Sequence, residues 1–380
     1  MIETRLDRRK LLMLAAVTAL AGCKVIPKGP AVTPPPVPTP SDNLPNDQQR
    51  QRIALLVPLS GSQAAWGQSI ANATTMALLD TNAKTIRITT YDTAEGPAEA
   101  ASKAMKDGNR LILGPLSGDD IPAVAAVARA SKVPLITYSS EADMAARDVF
   151  LMGTSTTGAI ERVVDYAHSR GVSRFALLAP KGSYGSRASA AYAAAVKAAG
   201  GTLVNTQTYD RSNSSVISAA TRLKTKGGYD AVLIADSGKF AAMAAPQLKG
   251  AGVHILGTDL WSGDLTISKT PALRGAWFAA ISDARFGRFA DSYKTRFGGP
   301  PYRLATFGYD SVLLAVRIAR EWRIGAPFPT ARLTDRDGFL GLDGPFRFAP
   351  NGIGERALEV HEARAGGITV VSPAPEKFVD

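Results

Sequence analysis

The chain has 380 residues, 45% of them apolar and 20% charged, with a net charge of +11 and a single cysteine. That length and composition suit two domains with real cores, and one cysteine excludes an intrachain disulfide, a Cys-based metal site and a dithiol redox pair. The Lys and Arg are scattered among Asp and Glu without interleaved aromatics, which argues against nucleic acid as a partner and fits a cationic face near anionic lipid or cell-wall polymer.

In chain order, Arg5, Arg8, Arg9 and Lys10 precede an apolar segment from Leu11 to Leu20, followed by Leu20-Ala21-Gly22-Cys23. Charged, apolar and small-residue regions in that order predict a secretory signal peptide over residues 1–22, too short to span a bilayer. The Leu-Ala-Gly-Cys ending resembles a bacterial lipobox. That resemblance implies cleavage before Cys23, acylation of Cys23 and membrane anchoring of the mature chain, since more than one acyl chain on one residue holds stably. Lys24 stands where an Asp would resemble an inner-membrane retention signal, which favours the periplasmic side of the outer membrane. With Cys23, residues 24–51 form a linker holding eight prolines (27, 30, 34, 35, 36, 38, 40 and 45). It reads either as a semi-rigid extended spacer of roughly 3 Å per residue or as a plain disordered tether, and in both cases it stays outside the fold.

The body opens on Arg52 to Asp80, RIALLVPLSGSQAAWGQSIANATTMALLD. An apolar run from Ile53 to Val57 ends at Pro58 and a turn of Ser60, Gly61 and Ser62, and a helical pattern follows with Trp66, Ile70, Ala73 and Ala77. Strand, Ser/Gly turn and helix begin a parallel α/β sheet. Ligands of such sheets sit at the carboxyl ends of strands, over helix N-termini that favour anions. Ser60 is thus either part of a binding surface or part of an ordinary βα turn. Further strands are expected at Ile86–Tyr91, Leu111–Leu113, Pro134–Thr137 and Val149–Met152, with helices at Pro97–Asp107 and Ile121–Ala130. Three strands end in Ser- or Gly-bearing turns, at 60–62, 114–118 and 138–140, and their agreement carries more than any one of them. Asp119 is better placed as a helix cap than as half of a catalytic Asp119-Asp120 pair.

The alternation then restarts. Strands are expected at Arg174–Ala179, Leu203–Tyr209, Asp230–Ala235 and Val253–Leu256, with helices at Ala159–Ser169, Ser186–Ala199, Ser215–Lys226 and Phe240–Lys249. Two sets of βα units imply two sheets and two lobes. The last third predicts an extended run at Ala276–Ile281, helices at Phe286–Phe297 and Thr306–Glu321, and a small β element after Phe346 that completes a lobe already begun.

Taken together, "IALLVPLSGSQAAWGQSIANATTMALLD", "LILGPLSGDDIPAVAAVA", "VPLITYSS", "FALLAPKGSYGSRASAAYAAAVKAAGGTLV", "YDAVLIADSGKFAAMAAPQLKGAGV" and "GTDLW" resemble the type I periplasmic binding proteins of the leucine/isoleucine/valine-binding kind, over residues 52–372. The resemblance implies an α/β fold of two doubly wound lobes with parallel sheets, joined by a hinge the chain crosses three times. The crossings would fall near 153–158, 280–285 and 338–345. The first lobe would take about 52–155 and 284–340, the second about 156–283 and 341–372. It also implies pocket positions. Ser117 and Gly118 lie where the family grips a ligand carboxylate. Ser139 and Glu141 follow the next strand, Tyr184 is an aromatic residue of the second lobe, Ser237 follows a later strand, and Asp259 matches an acidic residue that holds an ammonium. Hydroxyls and N–H groups for an anion, a carboxylate for a cation and an aromatic wall are the right chemistry for such a solute. Trp66 and Trp261, which follow cleft turns, are candidate walls. Two positions depart from the family: a hydroxyl is replaced by Glu141, and a tyrosine expected near Ser237 is missing. Both count against a branched-chain amino acid; a small amino-acid-like or amide-like ligand is expected, the alternatives being another ligand or an unused cleft.

His168, His254 and His361 have no partners at metal-ligand spacing, and no Gly-x-Ser-x-Gly or Ser-x-x-Lys motif supplies a nucleophile. Gly352-Ile353-Gly354 echoes a dinucleotide fingerprint with no helix after it. The chain therefore reads as a non-enzyme without cofactor or metal: a lipid-anchored solute-binding component of an ABC importer, with an ABC permease as partner. The alternative is an outer-membrane lipoprotein of the penicillin-binding-protein activator type, which shares this domain and docks on a peptidoglycan synthase.

Overall fold

The computed structural model describes residues 49–250 and 252–378. The expected signal peptide, Cys23 and nearly all of the Pro-rich linker lie outside the described residues. Strand β1, Gln51–Val57, is buried almost throughout. Its side chains divide by parity, with Ile53, Leu55 and Val57 in one core layer and Ala54 and Leu56 in the layer on the other face. That is why it reads as a continuous apolar run: a central parallel strand is covered on both sides. Helix α1, Ala64–Thr81, follows and stops at Asn82, which takes the left-handed conformation with φ 47°. Then come β2 Ile86–Asp92, α2 Pro97–Lys106, β3 Leu111–Leu113, α3 Ile121–Ala130, β4 Leu135–Thr137 and β5 Val149–Leu151. The five strands make one parallel sheet in the order β2-β1-β3-β4-β5.

The second lobe runs α4 Thr156–Ser169, β6 Arg174–Pro180, α5 Ser183–Ala198, β7 Thr202–Tyr209, α6 Ser215–Lys226, β8 Ala231–Ile234, α7 Gly238–Leu248, β9 His254–Gly257, a short α8 Leu265–Lys269 and β10 Trp277–Ala280. It opens as the first lobe does. A Cβ at Gly67 of α1 would stand 1.7 Å from the Pro58 carbonyl oxygen, and a Cβ at Gly185 of α5 would stand 1.7 Å from that of Pro180. In both lobes a glycine lets the helix that follows the lobe's first strand lie directly on the end of that strand.

The chain then returns. Helix α9, Phe286–Phe297, sets Phe289 and Tyr293 against Ala73 and Met76 of α1. Helix α10, Ala305–Ala319, puts Val312, Leu314, Ala315 and Ile318 into the first lobe's core. A three-stranded antiparallel sheet follows, β11 Phe339–Gly341, β12 Gly344–Phe348 and β13 Gly354–Arg356. Finally β14 Glu359–Arg364 and β15 Gly367–Ser372 join the second sheet, whose order is β15-β14-β10-β9-β8-β6-β7. Strands β6 to β10 are parallel, and β14 and β15 are antiparallel additions at one edge.

The chain passes between the lobes first between β5 and α4 and again between β10 and α9. The third passage comes late in the chain. Phe339, Phe346 and Phe348 all pack in the first lobe's core, and Leu358 is the next large apolar residue to enter the second. The passage is therefore at Ala357, not at 338–345, and the terminal β element serves both lobes. Alternating apolar residues fix that a strand has an inward face, but not which core receives it.

A buried polar cluster ties these passages together. Arg356 donates to the Met152 carbonyl oxygen at 2.9 Å, beside the first passage. Arg303 donates to the Ser282 carbonyl oxygen at 3.4 Å in the second, and to Asp343 Oδ1 at 2.5 Å. Asp310 and Asp343 are wholly buried, each about 4 Å from Arg356 Nη1 (3.9 and 4.0 Å). At the end of β15 Arg162 of α4 donates to Ser372 Oγ at 2.6 Å and to the Pro373 carbonyl oxygen at 3.3 Å, and the tail beyond brings the Phe378 ring under the Arg347 guanidinium of β12 at 4.6 Å.

Candidate functional site

The first lobe contributes a polar cavity at the carboxyl ends of β3 and β4. After β3 the chain reaches Ser117, whose Oγ accepts a hydrogen bond from the Asp119 N–H at 3.3 Å. It caps a one-turn 3-10 helix, Gly118–Asp120, that leads into α3. After β4 come Tyr138, Ser139, Ser140 and Glu141, with Ser139 Oγ accepting from the Glu141 N–H at 3.2 Å. Trp66, from the first turn of α1, is 42% exposed and stands edge-on to Tyr302 at 6.5 Å. Trp66, Ser117, Gly118, Ser139 and Glu141 line one cavity of 360 Å³, joined by Gln63, Leu116, Tyr138, Ser140 and Leu304. Five expected residues from three separate stretches thus come together. Ser60 is not among the lining residues; it is exposed and hydrogen-bonds Asp92 at the end of β2.

The Glu141 carboxylate lies flat against Gly118. A Cβ built on Gly118 would meet its carboxyl carbon and Oε1 at 2.5 Å, so the glycine makes room for the carboxylate. Glu141 is the one charged residue among the described residues that line the cavity, and no described Lys or Arg lines it.

The second lobe contributes a tighter network at the ends of β6 to β9. Asp236, after β8, is 2% exposed and takes two hydrogen bonds from Arg211, at 2.8 and 2.9 Å. It also accepts from the Tyr209 hydroxyl and, at 2.7 Å, from the Ser237 N–H. Burial, and then the bond to Asp236, holds the Tyr209 hydroxyl far above its ordinary pKa, while the bond to Asp236 raises that of Arg211. The Arg211 guanidinium sits over the Tyr184 ring at 5.2 Å, and the Tyr184 hydroxyl is 3.3 Å from Thr258 Oγ1. Burial pushes the Tyr184 hydroxyl up to about 12. Asp259, next along, is hydrogen-bonded by the Thr156 side chain at the start of α4, and burial raises its carboxyl above the usual range. Its Oδ1 is buried and has no hydrogen-bond partner among the described residues. Such an atom is costly unless something fills the valence.

Trp261 is a correction. It is 1% exposed, packs in the second lobe's core and donates from Nε1 to the Asp236 carbonyl oxygen at 2.8 Å. It supports the Asp236 turn from below and lines no ligand surface. Three further residues escaped sequence reasoning: Tyr209, Arg211 and Asp236. Arg211 and Asp236 lie on strand ends separated by a whole helix, so no local spacing announces their pairing. Asp236, placed immediately before Ser237 at a strand terminus, was the available signal. Tyr209, at the end of β7, reaches the turn after β8 through its bond to Asp236 and is itself buried in the second lobe's core.

The histidines are structural: His254 stacks on Trp277 at 4.2 Å, His361 Nε2 lies 3.0 Å from Glu359, and His168 Nδ1 lies 3.0 Å from the Val172 carbonyl oxygen. Among the described residues no cluster of three or more His, Cys, Asp or Glu is placed to hold a metal, and no helix is long and apolar enough to cross a membrane.

Two α/β lobes, each carrying polar groups at its strand ends and linked by three chain passages, make the two-lobed fold of the type I periplasmic binding proteins. Residues 50–367 match the family model described as periplasmic binding protein, and the chain belongs to that family. An uncharacterized protein of Rickettsia prowazekii (strain Madrid E) is 27% identical over 140 residues, 36% of this chain and 38% of that protein's length. Among solved structures, a putative branched-chain amino acid ABC transporter protein from Rhodospirillum rubrum aligns with TM-score 0.76 and 20% identity, covering 85% of this chain and 100% of the other. An ABC-transporter solute-binding protein from Rhodopseudomonas palustris BisB5, in complex with 3,4-dihydroxybenzoic acid, aligns with TM-score 0.60 and 21% identity over 87% and 97% of the two chains. The branched-chain amino acid binding protein LivJ of Streptococcus pneumoniae, in complex with isoleucine, gives TM-score 0.57 and 19% identity over 85% and 100%. At these identities the likeness establishes the fold.

Proposed function

We propose that this chain is the lipid-anchored solute-binding component of an ABC importer, closing its two lobes on a small polar, amino-acid-like or amide-like molecule. Ser117, Gly118, Ser139, Glu141 and Trp66 would meet it from the first lobe, and Tyr184, Ser237 and Asp259 from the second. The observation that carries the reading is the partnerless, buried Oδ1 of Asp259 at the carboxyl end of β9. A carboxylate held there by Thr156 and left with an open valence is built to receive a donor from outside the chain. The neighbours with bound isoleucine and dihydroxybenzoic acid support a small solute of that size. Isothermal titration of the protein with a panel of amino acids and their amides tests it. Asp259→Ala should weaken any binding at least tenfold, and unchanged affinity would remove Asp259 from the pocket and the reading with it.

The lipobox-like Cys23, Lys24 and the eight-proline stretch behind them favour a second reading. A protein tethered to the outer membrane through such a linker is suited to reach a cell-wall synthase, and activation of penicillin-binding proteins would need no solute. Co-precipitation of the mature protein with purified synthases, alongside the titration, separates the two.

A further inference from the structure

The carboxylate of Glu141 gives the first lobe a chemistry opposite to that expected from its hydroxyls and helix start. A hydroxyl pair and the N-terminus of the segment leading into α3 would favour an anion. The chain has already put its own anion there, against the Cα of Gly118. No arginine or lysine among the residues lining the cavity offsets it. The half-exposed ring of Trp66 is also part of the wall, and ring faces attract cations. A carboxylate, hydroxyls and one exposed aromatic ring around 360 Å³ make a receptor for a positive or neutral donor group. An incoming carboxylate would meet Glu141 as a like charge with no cation among the residues lining that cavity, and Arg211 of the second lobe is already paired with Asp236.

We propose that Glu141 is the specificity-determining residue of the cleft, and that it selects organic cations lacking a free carboxylate, such as amines and amino-acid amides, over free amino acids and aromatic acids. The inference rests on the solute-binding reading above and adds the class of solute. It places this chain apart from the neighbours crystallised with isoleucine and dihydroxybenzoic acid, both of which carry an acid group. Asp259 on the second lobe is a second carboxylate awaiting a donor, so both lobes ask for hydrogen-bond donors on the solute.

The test uses matched probes that differ only in the acid: L-leucine against L-leucinamide, and L-phenylalanine against L-phenylalaninamide, titrated calorimetrically at a pH where all the amines are protonated. The proteins are the wild type, Glu141→Gln, which keeps the volume and removes the charge, and Glu141→Ser, which opens the space over Gly118. Glu141 is exposed on a loop, so both variants should fold, and a thermal melt verifies this. The expected result is that wild type binds at least one amide tenfold or more tighter than its acid, and that both variants lower that ratio at least fivefold, with Glu141→Ser gaining affinity for the acid. Equal or tighter binding of the acids by wild type, or an acid-to-amide ratio unchanged in both variants, overturns the proposal. If binding remains dependent on Asp259 in that case, the solute-binding reading stands and only the role of Glu141 falls. If no probe binds any of the three proteins, both are overturned.

Discussion

Asp310 offers a test of the hinge. It lies wholly buried on α10, takes the Leu342 N–H at 2.7 Å on Oδ1, and directs Oδ2 toward Arg356 Nη1 at 3.9 Å, a contact too long for a hydrogen bond. Burial first, and the charge of Asp343 second, push its carboxyl up to about 7, against a partial offset from Arg356. A carboxyl whose folded pKa exceeds its unfolded one binds more protons in the native state. Its contribution to stability is therefore complete below about pH 4 and is lost as pH rises through about 7. Between about pH 5 and about pH 7 the native carboxyl stays protonated while the unfolded one is ionised, and each pH unit there costs ~1.4 kcal/mol, so the loss from about pH 5 to about pH 8 is about 3 kcal/mol at most. Asp343 shares the buried charge, which makes that figure a ceiling. Asp310→Asn keeps the acceptor for Leu342 and removes the titration. Urea unfolding followed by tryptophan fluorescence, with Trp322 reporting the first lobe's core, should show the wild type losing stability across this window relative to the variant. Parallel stability curves for the two proteins, or a wild type that gains on the variant as pH rises, would refute the reasoning.

The remaining expectations concern the second lobe. Trp261→Ala should cost about 3–5 kcal/mol in chemical denaturation, because it empties a fully buried site and removes the hydrogen bond to the Asp236 carbonyl oxygen; a loss under about 1 kcal/mol would return Trp261 to the surface. Arg211→Met removes the bidentate partner of an Asp236 that is 2% exposed. It should destabilise by roughly 3 kcal/mol, reduced because the Arg211 side chain is 42% exposed and its charge is partly screened. Combining it with Asp236→Asn should recover part of that loss, and strictly additive losses in this double-mutant cycle would show that the two residues are not coupled.

Much of the architecture was open to reading because it depends on short-range pattern. Continuous apolar runs such as Ile53–Val57 and Phe175–Ala179 are too short for helices and are bounded by turn residues, which reads as strands covered on both faces, and the Ser/Gly turns after them mark where strands end. The convergence of Ser117, Ser139, Glu141 and Trp66 was legible too, because parallel strands of one sheet carry their following turns to the same edge. What stayed hidden depends on distance in the chain. Trp261 follows a strand-end turn just as Trp66 does, but its ring turns inward against Gly257, where a Cβ would come within 2.2 Å of it. Periodicity around the two tryptophans does not separate those fates. The pairing of Arg211 with Asp236 and the assignment of Phe346 and Phe348 to the first lobe are likewise decided by which surfaces meet in space. Glu141 showed itself in the sequence as a departure, but that its carboxylate rests on Gly118 is a fact of packing.

The tail beyond β15 has a practical consequence. It is held by Arg162 of one lobe and ends its described course with Phe378 beneath Arg347 of the other. This placement makes position 378 a good address for a spectroscopic label. The single cysteine of the chain is Cys23, so a body starting at residue 49 contains no competing thiol. A dye there, paired with one on the outer surface of α1 or α6, would register rotation of either lobe at its axis.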